Sequence, residues 1–181
     1  GGRATLLFEV FGAAAWNIHV FGAGHVAQAL CRTLLLLNCH LTCVDPRGEW
    51  IERLPEAPHF RKLVVDDMAS FAADVPPGSF CAVLTMGHGT DLPVLQVLLS
   101  RDDLSFVGSI GSKVKARRMK ADLARAGLNP EQIQKLHSPI GLDVNSRRPE
   151  EIAIGIAAQL LMARAAPGTA ISRRIDQPTS D

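Results

Sequence analysis

Four clusters of residues in this chain have types and spacing that suit the binding of an anion. The first is Gly22-Ala23-Gly24-His25-Val26-Ala27, a G-x-G-x-x-(G/A) pattern. Gly22 would allow a tight turn out of a strand, and Gly24 has no side chain to keep a phosphate from the backbone. Ala27 is small enough for a helix to pack closely on a sheet. The first turn of that helix, with Val26 in it, offers free N–H groups and a positive dipole end. The second cluster is Asp45 with Arg47. Asp45 stands about 20 residues past the glycines, where an acid accepts a hydrogen bond from a ribose 2′-hydroxyl. Arg47 either pairs with Asp45 or faces a phosphate or carboxylate. The third cluster is Thr85-Met86-Gly87-His88-Gly89-Thr90-Asp91. Here Gly87 and Gly89 permit close approach, and His88 can donate to a phosphate or meet a ring. Asp91 is read as a helix cap or a ligand contact. The fourth is Gly108-Ser109-Ile110-Gly111-Ser112-Lys113, small residues and a cation opening a helix. Gly111, Ser112 and Lys113 suit an anion there. The spacing is not that of a Walker loop.

Positioning these clusters requires strands that end at one edge. Asn17–Phe21, Leu41–Val44, Lys62–Val65, Phe80–Thr85 and Ser105–Gly108 read as strands. Helices are expected at Gln28–Leu37, near Trp50–Leu54, at Met68–Ala73, from an Asp91 cap through Leu99, at Lys113–Ala126 and at Pro149–Ala165. Pro139-Ile140-Gly141-Leu142 reads as a tight turn near the sheet edge. Alternation of this kind predicts an α/β fold, Rossmann-like and doubly wound, with a largely parallel sheet and flanking helices. In such a sheet ligands sit outside the carboxyl ends of the strands, where all four clusters fall. Residues 16–166 form the expected domain. Residues 1–15 read as the end of an upstream domain plus a linker, and 167–181 as a flexible tail.

Composition narrows the function. The 181 residues are 47% hydrophobic and 20% charged, with a formal net charge of +1. That balance gives no electrostatic case for nucleic acid or an anionic membrane. No apolar stretch reaches the roughly 18 residues of a membrane span. No basic-then-apolar-then-small order opens the chain, so a cytoplasmic location is expected. Cys31, Cys39, Cys43 and Cys81 lack metal spacing and read as buried thiols in a reducing compartment. A sulfur-handling thiol would have to be exposed, with a lowered pKa. No Ser/His/Asp order and no metal site can be assembled from the sequence.

Taken together, the motifs resemble one family. They are Val20 through Val26, Asp45-Pro46-Arg47, Leu84 through Leu92, Ile110-Gly111-Ser112-Lys113, Pro139 through Leu142, and Pro149 through Ile154. In that order they are similar to the C-terminal, Rossmann-type part of the xanthine dehydrogenase accessory proteins, relatives of the carbon monoxide dehydrogenase accessory proteins. The resemblance covers roughly Phe8 to Ala165. It implies a chaperone and not an enzyme: a protein that binds the molybdenum cofactor (molybdopterin), protects it during sulfuration and helps insert it. The implied partners are the large molybdenum-binding subunit of xanthine dehydrogenase and a cysteine desulfurase. By the same resemblance Gly22, Gly24 and His25 hold the phosphate end, and Asp45 and Arg47 face a ribose or pterin edge. His88, Ser112 and Lys113 close the other side. Met86 stands where many relatives carry His, and relatives carry a further N-terminal domain. The long apolar-faced helices also allow a homodimer.

Two rival readings share the glycine turn and Asp45. One is an NAD-dependent oxidoreductase, for which no catalytic pair can be named. The other is a nucleotide-sensing regulatory domain, which leaves the Gly-Ser-Lys and Pro-Ile-Gly-Leu segments unexplained. NAD or another nucleotide is therefore a second candidate ligand.

Overall fold

Strand and helix alternate along the chain from β1 (Asn17–Phe21) through α1 (His25–Leu34), β2 (His40–Asp45), α2 (Gly48–Ile51), β3 (Phe60–Val64) and α3 (Met68–Ala73). The second half continues with β4 (Phe80–Val83), α4 (His88–Leu99), β5 (Phe106–Ser109), α5 (Lys113–Arg125), α6 (Pro130–Gln134), β6 (Leu136–His137) and α7 (Pro149–Ala165). The computed structural model describes residues 16–165. The upstream remnant expected at 1–15 and the tail expected at 167–181 lie outside them.

The six strands form one sheet in the order β3-β2-β1-β4-β5-β6, and every pairing is parallel. This is the doubly wound Rossmann arrangement expected from the alternation. Its connections leave β1 and β4 in opposite directions, so a crevice opens above their carboxyl ends. Pleating sends alternate side chains to opposite faces. Ile18, Val20, Leu41, Cys43 and Ala82 pack with Ala27, Leu30 and Leu34 of α1 and Ile156 and Leu160 of α7. Phe21, Val44, Cys81, Val83 and Val107 pack on the other face with Leu95, Leu98 and Leu99 of α4 and Met119 and Leu123 of α5.

Several boundaries differ from expectation. Helix α1 begins at His25, three residues before Gln28, because extended Gly24 serves as its N-cap. It ends at Leu34, and residues 35–37 continue as turns. Strand β4 stops at Val83, which frees Thr85 for the loop. Asp91 does not cap α4; Gly87 does, and Asp91 sits a turn inside the helix. Helix α6 and strand β6 were not anticipated. α6 is only five residues long, stabilised by an Asn129/Gln132 capping box. β6 is too short for a period to show. The Pro139–Leu142 turn lies between the sheet edge and α7: Ile140 N–H donates to the Ser109 carbonyl, and Gly141 N–H to Gln159 Oε1.

Candidate functional site

The crevice is built where backbones meet. Gly22 has φ +101°, and a Cβ there would collide with the Leu84 carbonyl and lie 2.9 Å from Thr85 Cα. Only glycine lets the β1 turn lie against the end of β4. Gly24 is different: a Cβ on it would meet nothing within 4 Å, so its surroundings are open to a ligand. The first-turn amides of α1, including those of His25 and Val26, have no partner within the helix and face this side.

Asp45 closes the turn. Its Oδ2 accepts from Ala23 N–H at 2.7 Å and Arg47 Nη2 at 2.8 Å. Its Oδ1 accepts from Arg47 N–H at 2.9 Å and Arg47 Nε at 2.8 Å. The residue is 2% exposed. Burial pushes its carboxyl up, but the Arg47 side chain and the Arg47 and Ala23 N–H groups outweigh that and hold it below the ordinary carboxylate value. Of the two sequence-level readings of Arg47, the intramolecular pair is the one formed. The arginine also lies 4.8 Å over the Trp50 ring, with Arg53 at 4.6 Å. His25 meets the same ring edge-on at 5.1 Å.

Across β4 lies an open crevice of about 350 Å³. Thr85, Gly87, His88 and Asp91 line it from the third cluster, and Ser109, Ile110 and Gly111 from the fourth. Lys115, Arg118 and Ser138 complete its polar rim. Asp91 accepts from the Thr85 hydroxyl at 2.5 Å and from Thr85 N–H at 3.3 Å, so it fastens the loop instead of capping the helix. It is 6% exposed, and burial raises its carboxyl above the ordinary value despite those hydrogen bonds. His88 Nε2 lies 2.7 Å from Asp122 Oδ2, tying α4 to α5. The Ser109 hydroxyl donates to Ser138 at 2.9 Å.

Residues 18–160 match the family described as the XdhC Rossmann domain. The chain belongs to this family. A protein of Escherichia coli K12 described as uncharacterized protein YqeB is 27% identical over 171 residues, covering 93% of this chain and 31% of that protein. A crystal structure described as a xanthine dehydrogenase from Bacillus halodurans is similar at TM-score 0.68 and 27% identity, covering 86% of this chain and 46% of that one. The chain therefore spans less than half the length of either relative.

Within this XdhC Rossmann domain the residues singled out from sequence divide into two groups. Gly22, Gly24, His25, Val26, Asp45 and Arg47 gather at the glycine turn. Thr85, Gly87, His88, Asp91 and Gly111 line the neighbouring crevice. Ser112 and Lys113 do not line it: Ser112 spends its side chain capping α5 through Lys115 N–H at 3.2 Å. Lys113 and Lys115 are two residues apart, and two helical residues are turned roughly 200° from each other. Lys115 and Arg118, three apart, share the crevice face. That spacing was the available signal. Nothing in the sequence marked Ser138.

The cysteines answer the question of a sulfur-handling thiol. All four are buried. Burial raises Cys39 to about 11 and Cys81 to about 12. The Cys31 hydrogen bond and burial raise Cys43 well above its ordinary value. A thiol-reactive disulfide reagent should leave all four unmodified in the native chain and modify all four after unfolding. Fast labelling of any one in the native state would contradict this packing. Among the described residues no three His, Cys, Asp or Glu side chains converge to hold a metal, and no helix is long and apolar enough to cross a membrane.

Proposed function

We propose that this chain is the cofactor-handling part of an accessory protein for xanthine dehydrogenase. In this reading it binds the molybdenum cofactor, holds it while its terminal sulfur is installed, and helps pass it to the large subunit. The observation that carries the reading is the XdhC Rossmann domain match over residues 18–160. The donor set of the crevice suits the cofactor's anionic end. Lys115, Arg118 and the first-turn amides of α4 would hold a phosphate. Asp91, Ser109 and Ser138 would pair with the polar edge of a pterin. When bound, the cofactor supplies the metal chemistry, and the chain's own residues bind, orient and shield it. The chain's buried thiols make poor sulfur carriers, so a cysteine desulfurase would deliver sulfur directly to the bound cofactor.

Reconstitution tests this role. Apo xanthine dehydrogenase, released cofactor and a cysteine desulfurase are combined with and without the 181-residue chain. Activation should depend on the chain. A Lys115→Ala, Arg118→Ala double variant should bind cofactor at least about 100-fold more weakly, since each charge-assisted contact contributes about 1.5–3 kcal/mol. Equal activation with the wild type, the double variant and no chain would overturn the proposal.

A further inference from the structure

A second cavity, about 350 Å³, lies at the opposite edge of the sheet, where the strands begin. Asn17 and His19 of β1, His40 and Thr42 of β2, and Arg61 of β3 line it, with His59 just before β3. Leu41, Pro58, Phe71, Val75 and Pro76 supply apolar walls, and Asp74 is the one carboxylate. The rim is therefore rich in donors and poor in acceptors. Arg61 makes no hydrogen bond or ion pair among the described residues, although Asp74 lines the same cavity.

The two inner histidines are set up as donors. His19 is 7% exposed, and its Nδ1 is sealed in the fold without a partner. Burial, with the charges of Arg61 and Arg101, lowers its pKa to about 4, so the ring is neutral at pH 7. A neutral imidazole carries one N–H, and a buried donor without an acceptor is costly. The proton therefore belongs on Nε2. His59 has the converse arrangement: its Nε2 is sealed and unpartnered, which leaves Nδ1 as the ring nitrogen that can meet a ligand. Together with the Arg61 guanidinium these edges give the cavity more donors than its single carboxylate, Asp74, can pair.

We propose that this amino-edge cavity is a second ligand site, for a small organic anion with a phosphate or carboxylate head and a flat apolar body. Arg61 and the imidazole N–H groups take the head, and Phe71 and Pro76 take the body. The site lies across the sheet from the crevice and does not depend on the function proposed above.

Phenyl phosphate is the probe, added to the full chain and followed by calorimetry and by the imidazole nitrogen signals in NMR. The expected result is saturable binding that shifts the His19 and His59 signals. Inorganic phosphate should bind at least about tenfold more weakly, because it lacks the body. Arg61→Ala, a change on an exposed edge-strand residue, should weaken phenyl phosphate at least about tenfold, and Lys115→Ala should leave it unchanged. Absence of any shift in the two histidines, or binding that Arg61→Ala leaves intact or Lys115→Ala abolishes, would overturn the proposal.

Discussion

Gly22→Ala is expected to cost the fold about 4 kcal/mol. Two effects add. A non-glycine residue at φ +101° is strained by roughly 1–3 kcal/mol. A new Cβ also presses on the Leu84 carbonyl and the Thr85 backbone, and forced overpacking of this kind costs about 1–3 kcal/mol. Backbone cannot swing aside as a side chain can, because Leu84 N–H donates to the Phe21 carbonyl at 2.7 Å and Gly22 N–H to the Val44 carbonyl at 2.7 Å. Since domains are stable by about 5–15 kcal/mol, the loss should be plain in a urea transition. Gly24→Ala is the contrast: its φ is −66° and its Cβ space is empty. It should leave the urea midpoint nearly unchanged while obstructing ligand approach. Equal midpoints for the two variants would contradict this division between a structural and a functional glycine.

Asp45→Ala is expected to cost about 1.5–3 kcal/mol, the range for losing hydrogen bonds to a charged group, and less than for a fully buried pair because the Arg47 side chain left behind is 24% exposed. The Ala23 N–H would lose its acceptor, and three Arg47 donors would lose theirs. The pH dependence has a definite sign. The folded carboxyl titrates below its ordinary value. Its contribution is therefore full above the unfolded pKa, about 3.9, and is lost as pH falls through the folded one. Asp91, raised in the fold, contributes with the opposite sign. The stability gap between wild type and Asp45→Ala should be constant from neutral pH down to about 5 and shrink below about 4. A gap under about 1 kcal/mol, or one that persists unchanged in strong acid, would contradict the pairing. The same geometry bears on nucleotides. An Asp45 saturated by Arg47 is not a free acceptor for a ribose hydroxyl, so NAD binding requires Arg47 to let go.

The fold was largely legible because five of the six strands end in glycine, acid or hydroxyl clusters that punctuate apolar runs. Val20 has Cys43 on one side and Ala82 on the other, and such doubly covered positions read as continuous apolar sequence. The misplaced boundaries share a cause: small residues carry little periodic signal. Gly24 and Gly87 both cap helices through backbone conformation alone, without a capping side chain to read. Asp91 looked like a cap because its type suits one, but its partner is Thr85, six residues back across the loop. The glycine turn was fully visible as a motif. The other half of the site was not. Lys115 and Arg118 enter the crevice through helical phase, and Ser138 comes from the segment after β6, a tertiary juxtaposition that no local spacing announces.

The most direct test of the account is binding itself. The chain is incubated anaerobically with freshly released molybdenum cofactor and separated by gel filtration, and molybdenum and pterin fluorescence are measured in the protein peak with and without excess NAD. The account predicts co-elution of both signals, undiminished by NAD and lost in the Lys115→Ala, Arg118→Ala variant. No co-elution, accompanied by tight binding of NAD, would contradict it and leave a nucleotide-binding domain in its place.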